Sequence, residues 1–119
     1  MVNRLVSNLL PTAIEQKTII VNEVPDHVQV AVHDNKTVQV ISELLTTVVA
    51  NSRKGIIHIH AERLGDMVIF RIQDRNNYNG YALAYSVQSI EPMATLAGGY
   101  LSMKGQQQLE TTISFSFPV

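Results

Sequence analysis

Cysteine is absent from this 119-residue chain. Its absence excludes disulfides, thiolate nucleophiles and cysteine-ligated zinc or iron–sulfur sites, and fits the cytoplasm. An excess of one charge is lacking too: the net charge is −1 and the nine basic residues are scattered. No global field therefore draws the chain to nucleic acid or to an anionic membrane. No uncharged apolar run is long enough to span a bilayer, and the opening MVNRLVSNLLPTAIEQ has no long apolar signal segment. Internal repeats are missing, and the only low-complexity tract, Gln106-Gln107-Gln108, reads as a loop. Neither a P-loop G-x-x-x-x-G-K-[ST] nor a serine–histidine–acid set occurs. What is there is the composition of an ordinary globular chain, 45% hydrophobic and 16% charged. The length suits one core, over residues 1–119, and is too short for two.

Hydrophobic period places the elements. Leu5, Val6, Leu9 and Leu10 predict a helix over 3–10 that Pro11 interrupts or kinks. Residues 18–22 (TIIVN) predict a strand, and Val28, Val30 and Val32, alternating with Gln29, Ala31 and His33, predict another. Asp34 is placed to cap a helix whose stripe, Val38, Ile41, Leu45 and Val48, runs to about Asn51, with Gly55 past the turn. Ile57, Ile59 and Ala61 then alternate with His58, His60 and Glu62, and Val68, Phe70 and Ile72 with Ile69, Arg71 and Gln73. Leu64-Gly65-Asp66 joins these strands as a hairpin. The segment RNNYNG (75–80) is a turn-forming loop of residues that tolerate positive φ. Helix-compatible sequence runs from about Tyr81 to Ala97 with Pro92 as a kink or restart, and Gly98-Gly99 ends it. Strands over 100–104 and 111–117 close the chain. The expected fold is an α/β (α+β) two-layer sandwich: a mixed, mostly antiparallel sheet with helices on one face.

Three segments carry a resemblance. Gln39-Val40-Ile41-Ser42-Glu43-Leu44-Leu45-Thr46-Thr47-Val48 follows a Q-V-L-x-N-L-L-x-N-A helix motif in its apolar positions. Asp74 ends a strand where the motif D-x-G-x-G begins. GGYLSMKGQQQLETTISFSFP matches G-G-x-L-x-V-x-S-x-x-G-x-G-[ST]-T-F-x-F-x-[LF]-P at Gly98, Gly99, Leu101, Met103, Thr111, Thr112, Phe115, Phe117 and Pro118. In this order, from about residue 3 to Pro118, the chain resembles the ATP-binding domain of sensor histidine kinases, the GHKL or Bergerat-fold superfamily that also includes DNA gyrase and MutL-type proteins.

The resemblance implies a nucleotide site. Asp74 would accept a hydrogen bond from the exocyclic amine of adenine, and Thr111 and Thr112 would reach the base through water. Glu43 stands at the first Asn position of the helix motif and Thr47 at the second, which coordinates Mg²⁺ in the family. A carboxylate at the first position activates water in the gyrase-like branch, so Glu43 would act as a base or an indirect metal ligand. Read without the resemblance, Glu43, Thr46 and Thr47 are a solvated helix face, Asp74 is a strand-end carboxylate that starts a turn, and Thr111 and Thr112 are ordinary β-formers.

The departures are concentrated in the glycines. Asn76 and Tyr78 replace both glycines of D-x-G-x-G, and Ala84 and Ser86 replace those of the phosphate-facing G-x-G. Gln108-Leu109-Glu110 replaces the last G-x-G, and no basic residue lies between Arg75 and Lys104. The pattern implies a degenerate histidine-kinase ATP-binding domain, a pseudokinase with weak or absent binding of ATP, ADP and Mg²⁺. Its partners would be a dimerisation or histidine-phosphotransfer domain, carried on another segment, or a response regulator. The alternative is a non-catalytic interaction module or an anti-sigma-like switch on the same fold, with no nucleic acid bound and no direct membrane contact. As part of a larger membrane sensor, the chain would lie on the cytoplasmic side.

The histidines allow two further readings. His33-Asp34-Asn35-Lys36-Thr37 superficially resembles a phosphoacceptor pattern, but Val38 replaces the expected Pro and no helical hairpin surrounds it, so it reads as coincidence. His58, His60 and Glu62 share one strand face at alternate positions. That spacing binds a metal if another element contributes, and otherwise is the wet side of a sheet.

Overall fold

The computed structural model describes residues 1–32, 34–76, 80–105 and 110–119. The chain runs α1 (Val2–Glu15), β1 (Ile19–Asn22), α2 (Asp26–Ala31), α3 (Asn35–Asn51), β2 (Ile56–Leu64), β3 (Met67–Arg75), α4 (Gly80–Gln88), α5 (Glu91–Leu96), β4 (Tyr100–Lys104) and β5 (Glu110–Pro118). The described strands form one sheet with the order β1-β2-β3-β5-β4. β1 lies parallel to β2, and the remaining pairs are antiparallel. α1 packs on α3 and β1, α3 touches α4 and α5, and α5 lies against β4. The architecture is the expected two-layer sandwich with a mixed, mostly antiparallel sheet.

Alternation along the strands decides which side the helices cover. Ile57 and Ile59 of β2, Val68, Phe70 and Ile72 of β3, and Ile113, Phe115 and Phe117 of β5 are each at most 2% exposed. Their intervening neighbours, from His58 to Ser116, are half-buried. Each large apolar side chain so buried contributes about 1.5–3 kcal/mol. α3 supplies the matching surface: Val40, Ile41, Leu44, Leu45, Val48 and Val49 are buried, whereas Val38 sits at the margin. The helix starts where expected, because Asp34 Oδ1 accepts from the backbone N–H groups of Lys36 (2.8 Å) and Thr37 (3.4 Å).

One element departs from expectation. The segment around Val28 is not a strand but the short helix α2, opened by Pro25 and by Asp26 in its first turn. The spacing that suggested alternation also suits a helix, since Val28 and Val32 are four apart; Val28 is buried within α2 and Val32, also buried, is its extended C-cap. Pro25 and Asp26, which favour a helix start, decide between the two periods. α1 also passes through Pro11 to Glu15. Ala13, 1% exposed beyond the proline, anchors the last turn to the core.

Elsewhere the turns fall as expected. Leu64 pairs with Met67 across a two-residue loop whose first residue is Gly65, the placement a type II′ hairpin favours. The chain stops after Gln88 and restarts at α5, with Pro92 in the first turn, where its missing N–H costs nothing. Gly98, at φ 78°, then turns the chain out of α5. Asn76 adopts φ 62° as the first residue past β3. The readings made for His33, for Asn77-Tyr78-Asn79, and for the Gln106 to Leu109 run lie outside the described residues.

Candidate functional site

The ends of β3 and β5 bring one predicted pair together. Asp74 is the cross-strand partner of Thr111, and both face the helix layer, 1% and 0% exposed. A carboxylate is stable at such depth only with donors around it. One is Ser52, the fully buried C-cap of α3, whose hydroxyl donates to Asp74 Oδ1 at 3.2 Å. Ser52 in turn lies 3.3 Å from the hydroxyl of Thr18, which precedes β1. The Thr111 hydroxyl, buried beside Asp74, has no hydrogen-bond partner among the described residues. An orphan hydroxyl next to a carboxylate is a place where a water or a ligand amine gains a partner.

Gly55 completes the floor. A Cβ built on it would stand 2.6 Å from Ser52 Oγ, 2.9 Å from the carbonyl oxygen of Arg75 and 2.9 Å from Asp74 Oδ1. The absence of a side chain at 55 is what lets the backbone leaving α3 press against the carboxylate. Sequence reasoning passed over both Ser52 and Gly55. The signal available was their position between the helix motif and the next strand, where a small hydroxyl and a glycine stand three residues apart.

The other predicted residues are placed differently. Thr112 pairs with Gln73, and adjacent strand residues point to opposite faces. It therefore sits on the far side of the sheet from Asp74 and Thr111, and the fold separates it from them. Glu43 is exposed and Thr47 half-buried, both off the buried stripe of α3. The Thr47 backbone carbonyl accepts from Asn51 Nδ2 at 2.8 Å. Asn76, at the first lost glycine of the D-x-G-x-G pattern, takes the left-handed conformation a glycine would supply.

The α4 side is built otherwise. Ala84 and Ser86, the replacements for the G-x-G pair, are interior residues of α4. The Ser86 hydroxyl donates to the Ala82 carbonyl at 3.1 Å, within its own helix. Leu83 beside them is fully buried and ties this stretch of α4 to the core. A cleft of about 370 Å³ does open here, but between α4 and β4, lined by Ala84, Tyr85, Gln88, Glu91 and Met103. Arg75, the nearest base in sequence to Asp74, lies 3.9 Å from Glu110 across the strand pair.

Asp74, Ser52, Gly55 and Thr111 make a buried polar cluster at the ends of β3 and β5. The interior of α4 offers a triphosphate neither glycine backbone nor positive charge.

No family profile and no curated protein matches the sequence. Solved structures do match the fold. The chain is similar to the Acinetobacter baumannii histidine kinase AdeS, with a TM-score of 0.73 and 12% identity over 98% of this chain and 62% of that one. It is similar to full-length ShkA, solved in complex with AMPPNP, with a TM-score of 0.71 and 13% identity over 98% of this chain and 28% of that one. The nucleotide-free catalytic domain of the histidine kinase ThkA is matched over 98% of this chain and 88% of that one, at a TM-score of 0.66 and 12% identity. The chain therefore has the fold of histidine kinase catalytic domains and spans less than two thirds of the AdeS and ShkA chains. Among the described residues, no helix is long and apolar enough to cross a membrane.

Proposed function

We propose that this chain is a degenerate ATP-binding domain of the sensor histidine kinase type, with weak or no binding of ATP, serving as an interaction or regulatory module in two-component signalling. The observation that carries this reading is the contrast between the two ends of the site. The Asp74 floor keeps its packing and its polar partners, while the Ser86 hydroxyl is spent on the carbonyl of Ala82.

Magnitudes favour the same reading. A retained carboxylate-to-base hydrogen bond contributes roughly 1.5–3 kcal/mol, whereas micromolar affinity requires about 8 kcal/mol. Asp74 would hold the adenine amine and Thr111 a bridging water at the base. Glu43 and Thr47, at the exposed flank of α3, would be the residues nearest in type to Mg²⁺ ligands, the carboxylate the stronger of the two. Bound Mg²⁺ would neutralise phosphate charge, which no basic side chain between Arg75 and Lys104 is present to do. The partners in this reading are a histidine-bearing dimerisation or phosphotransfer domain or a response regulator, and the setting is the cytoplasm.

Isothermal titration with Mg-ATP, Mg-ADP and adenosine tests it. Binding is expected no tighter than about millimolar, near 4 kcal/mol, and adenosine should bind as well as ATP because the phosphates add nothing. Micromolar binding of Mg-ATP that Asp74→Asn abolishes would overturn the proposal in favour of a working nucleotide site.

A further inference from the structure

The open face of the sheet gathers a second set of polar side chains, away from the Asp74 floor. His58 and His60, two apart on β2, stand on the face opposite Ile57 and Ile59, with their rings nearly parallel at 21° and centroids 6.2 Å apart. The residue that joins them is Glu23, just past the end of β1. The parallel pairing of Val21 with His58 and Asn22 with Ile59 brings Glu23 alongside, and its backbone N–H donates to the Ile59 carbonyl at 2.8 Å. Glu23 Oε1 lies 2.9 Å from His58 Nδ1. One ligand atom from each of Glu23, His58 and His60 falls within 4.8 Å of the others. Glu62, the acid that sequence spacing suggested as a third member, is turned to Arg71 instead, at 3.1 Å.

We propose that Glu23, His58 and His60 form a binding site for a divalent transition metal, Zn²⁺ in the first instance. Two neutral imidazoles and one carboxylate are the donor set that Zn²⁺ accepts, and that Mg²⁺ and Ca²⁺, which take oxygen ligands, do not. Small rotations of exposed or half-buried side chains bring the three donors from their present spacing to zinc–ligand distances of about 2.0–2.2 Å. His60 Nε2 lies 3.3 Å from Gln73 Oε1, the kind of contact that orients a ligand imidazole. A metal here bridges the edge strand β1 to β2, and sits across the sheet from any Mg²⁺ accompanying a nucleotide.

The test is titration of the full chain, free of any affinity tag, with ZnCl₂ and separately with MgCl₂, by calorimetry and by long-range ¹H–¹⁵N spectra of the imidazoles. One equivalent of Zn²⁺ is expected to bind with a Kd on the order of micromolar and to shift the His58 and His60 ring nitrogens, with no effect of Mg²⁺. Saturating Zn²⁺ should raise the Tm by roughly 5–10 °C. His58→Ala and His60→Ala should each weaken binding by about tenfold or more, Glu23→Gln by less, and Asp74→Asn not at all. Absence of binding at roughly a hundredfold the expected Kd, or binding that survives both histidine substitutions, overturns the proposal. Ring shifts confined to His27 or His33 do the same without depending on any variant.

Discussion

Gly55→Ala tests whether the backbone leaving α3 must press against Asp74. The added Cβ would meet Ser52 Oγ at 2.6 Å, the Arg75 carbonyl oxygen at 2.9 Å and Asp74 Oδ1 at 2.9 Å. Ser52 is fully buried and holds Asp74, and the Arg75 oxygen is backbone at the end of β3, so none of the three is a flexible tip that can swing aside. Overpacking of this kind costs about 1–3 kcal/mol, offset by about 0.4–1 kcal/mol because alanine has less freedom to lose on folding. A net loss of roughly 1–2 kcal/mol results. With about 2.1 cal/mol/K of unfolding entropy per residue, the 119-residue chain should melt about 4–8 °C lower. Thermal and urea unfolding followed by circular dichroism measure this directly. Because the shortest approach is to Ser52 Oγ, the double variant Ser52→Ala/Gly55→Ala should be less damaged than the sum of its singles by at least about 0.5 kcal/mol. A Gly55→Ala protein that melts within about a degree of the parent, or higher, would refute the contact as drawn.

Two further outcomes concern other parts of the chain. Asp34→Ala removes the acceptor for the Lys36 and Thr37 N–H groups and should cost about 1 kcal/mol, a fall of about 4 °C in Tm by the same conversion. Carbon-detected titration of Glu23 should show its carboxyl below the ordinary value of 4.5, chiefly through the hydrogen bond from His58, and His58→Ala should move it back up. A depressed folded pKa means that the contribution to stability is fully present above 4.5 and is lost as pH falls through the folded value. The acid limb of the unfolding curve should accordingly be shallower in His58→Ala.

Sequence pattern made the sheet and α3 readable because their signals are redundant. In β3 and β5 every second residue is large and apolar until Asp74 and Thr111 at one end of the pair, and α3 combines a long stripe with an Asp34 cap. The strand reading that failed was of a short segment, and the helix reading of α1 fell short past Pro11. Val28 and Val32 fit either period, and six residues are too few for periodicity to choose between them. Pro11 counts against a helix locally, but the burial of Ala13 beyond it is a tertiary effect that no local signal carries. The site divided in the same way. Asp74 and Thr111 were singled out only through the resemblance, which also named Thr112, although alternation within β5 sends Thr112 to the other side. Ser52 and Gly55 were not singled out, because their role lies in how closely two backbones approach, and a small residue after a helix announces only a turn. The same limit hid Glu23: it is 35 residues from His58 in sequence and reaches it only because β1 lies parallel to β2.

The two-residue connection between β2 and β3 governs more than it touches. One strand face carries Asp74 and the other Gln73, the neighbour of His60, so the two proposed sites lie on a single ribbon read from its two sides. An insertion at Gly65-Asp66 that slid β3 by one position would exchange those sides along the whole ribbon. The carboxylate would be turned out to solvent and Gln73 driven into the interior by the same movement. The tightness of that small bend is therefore a shared safeguard, and neither half of the molecule's chemistry is free to drift while the other stays fixed.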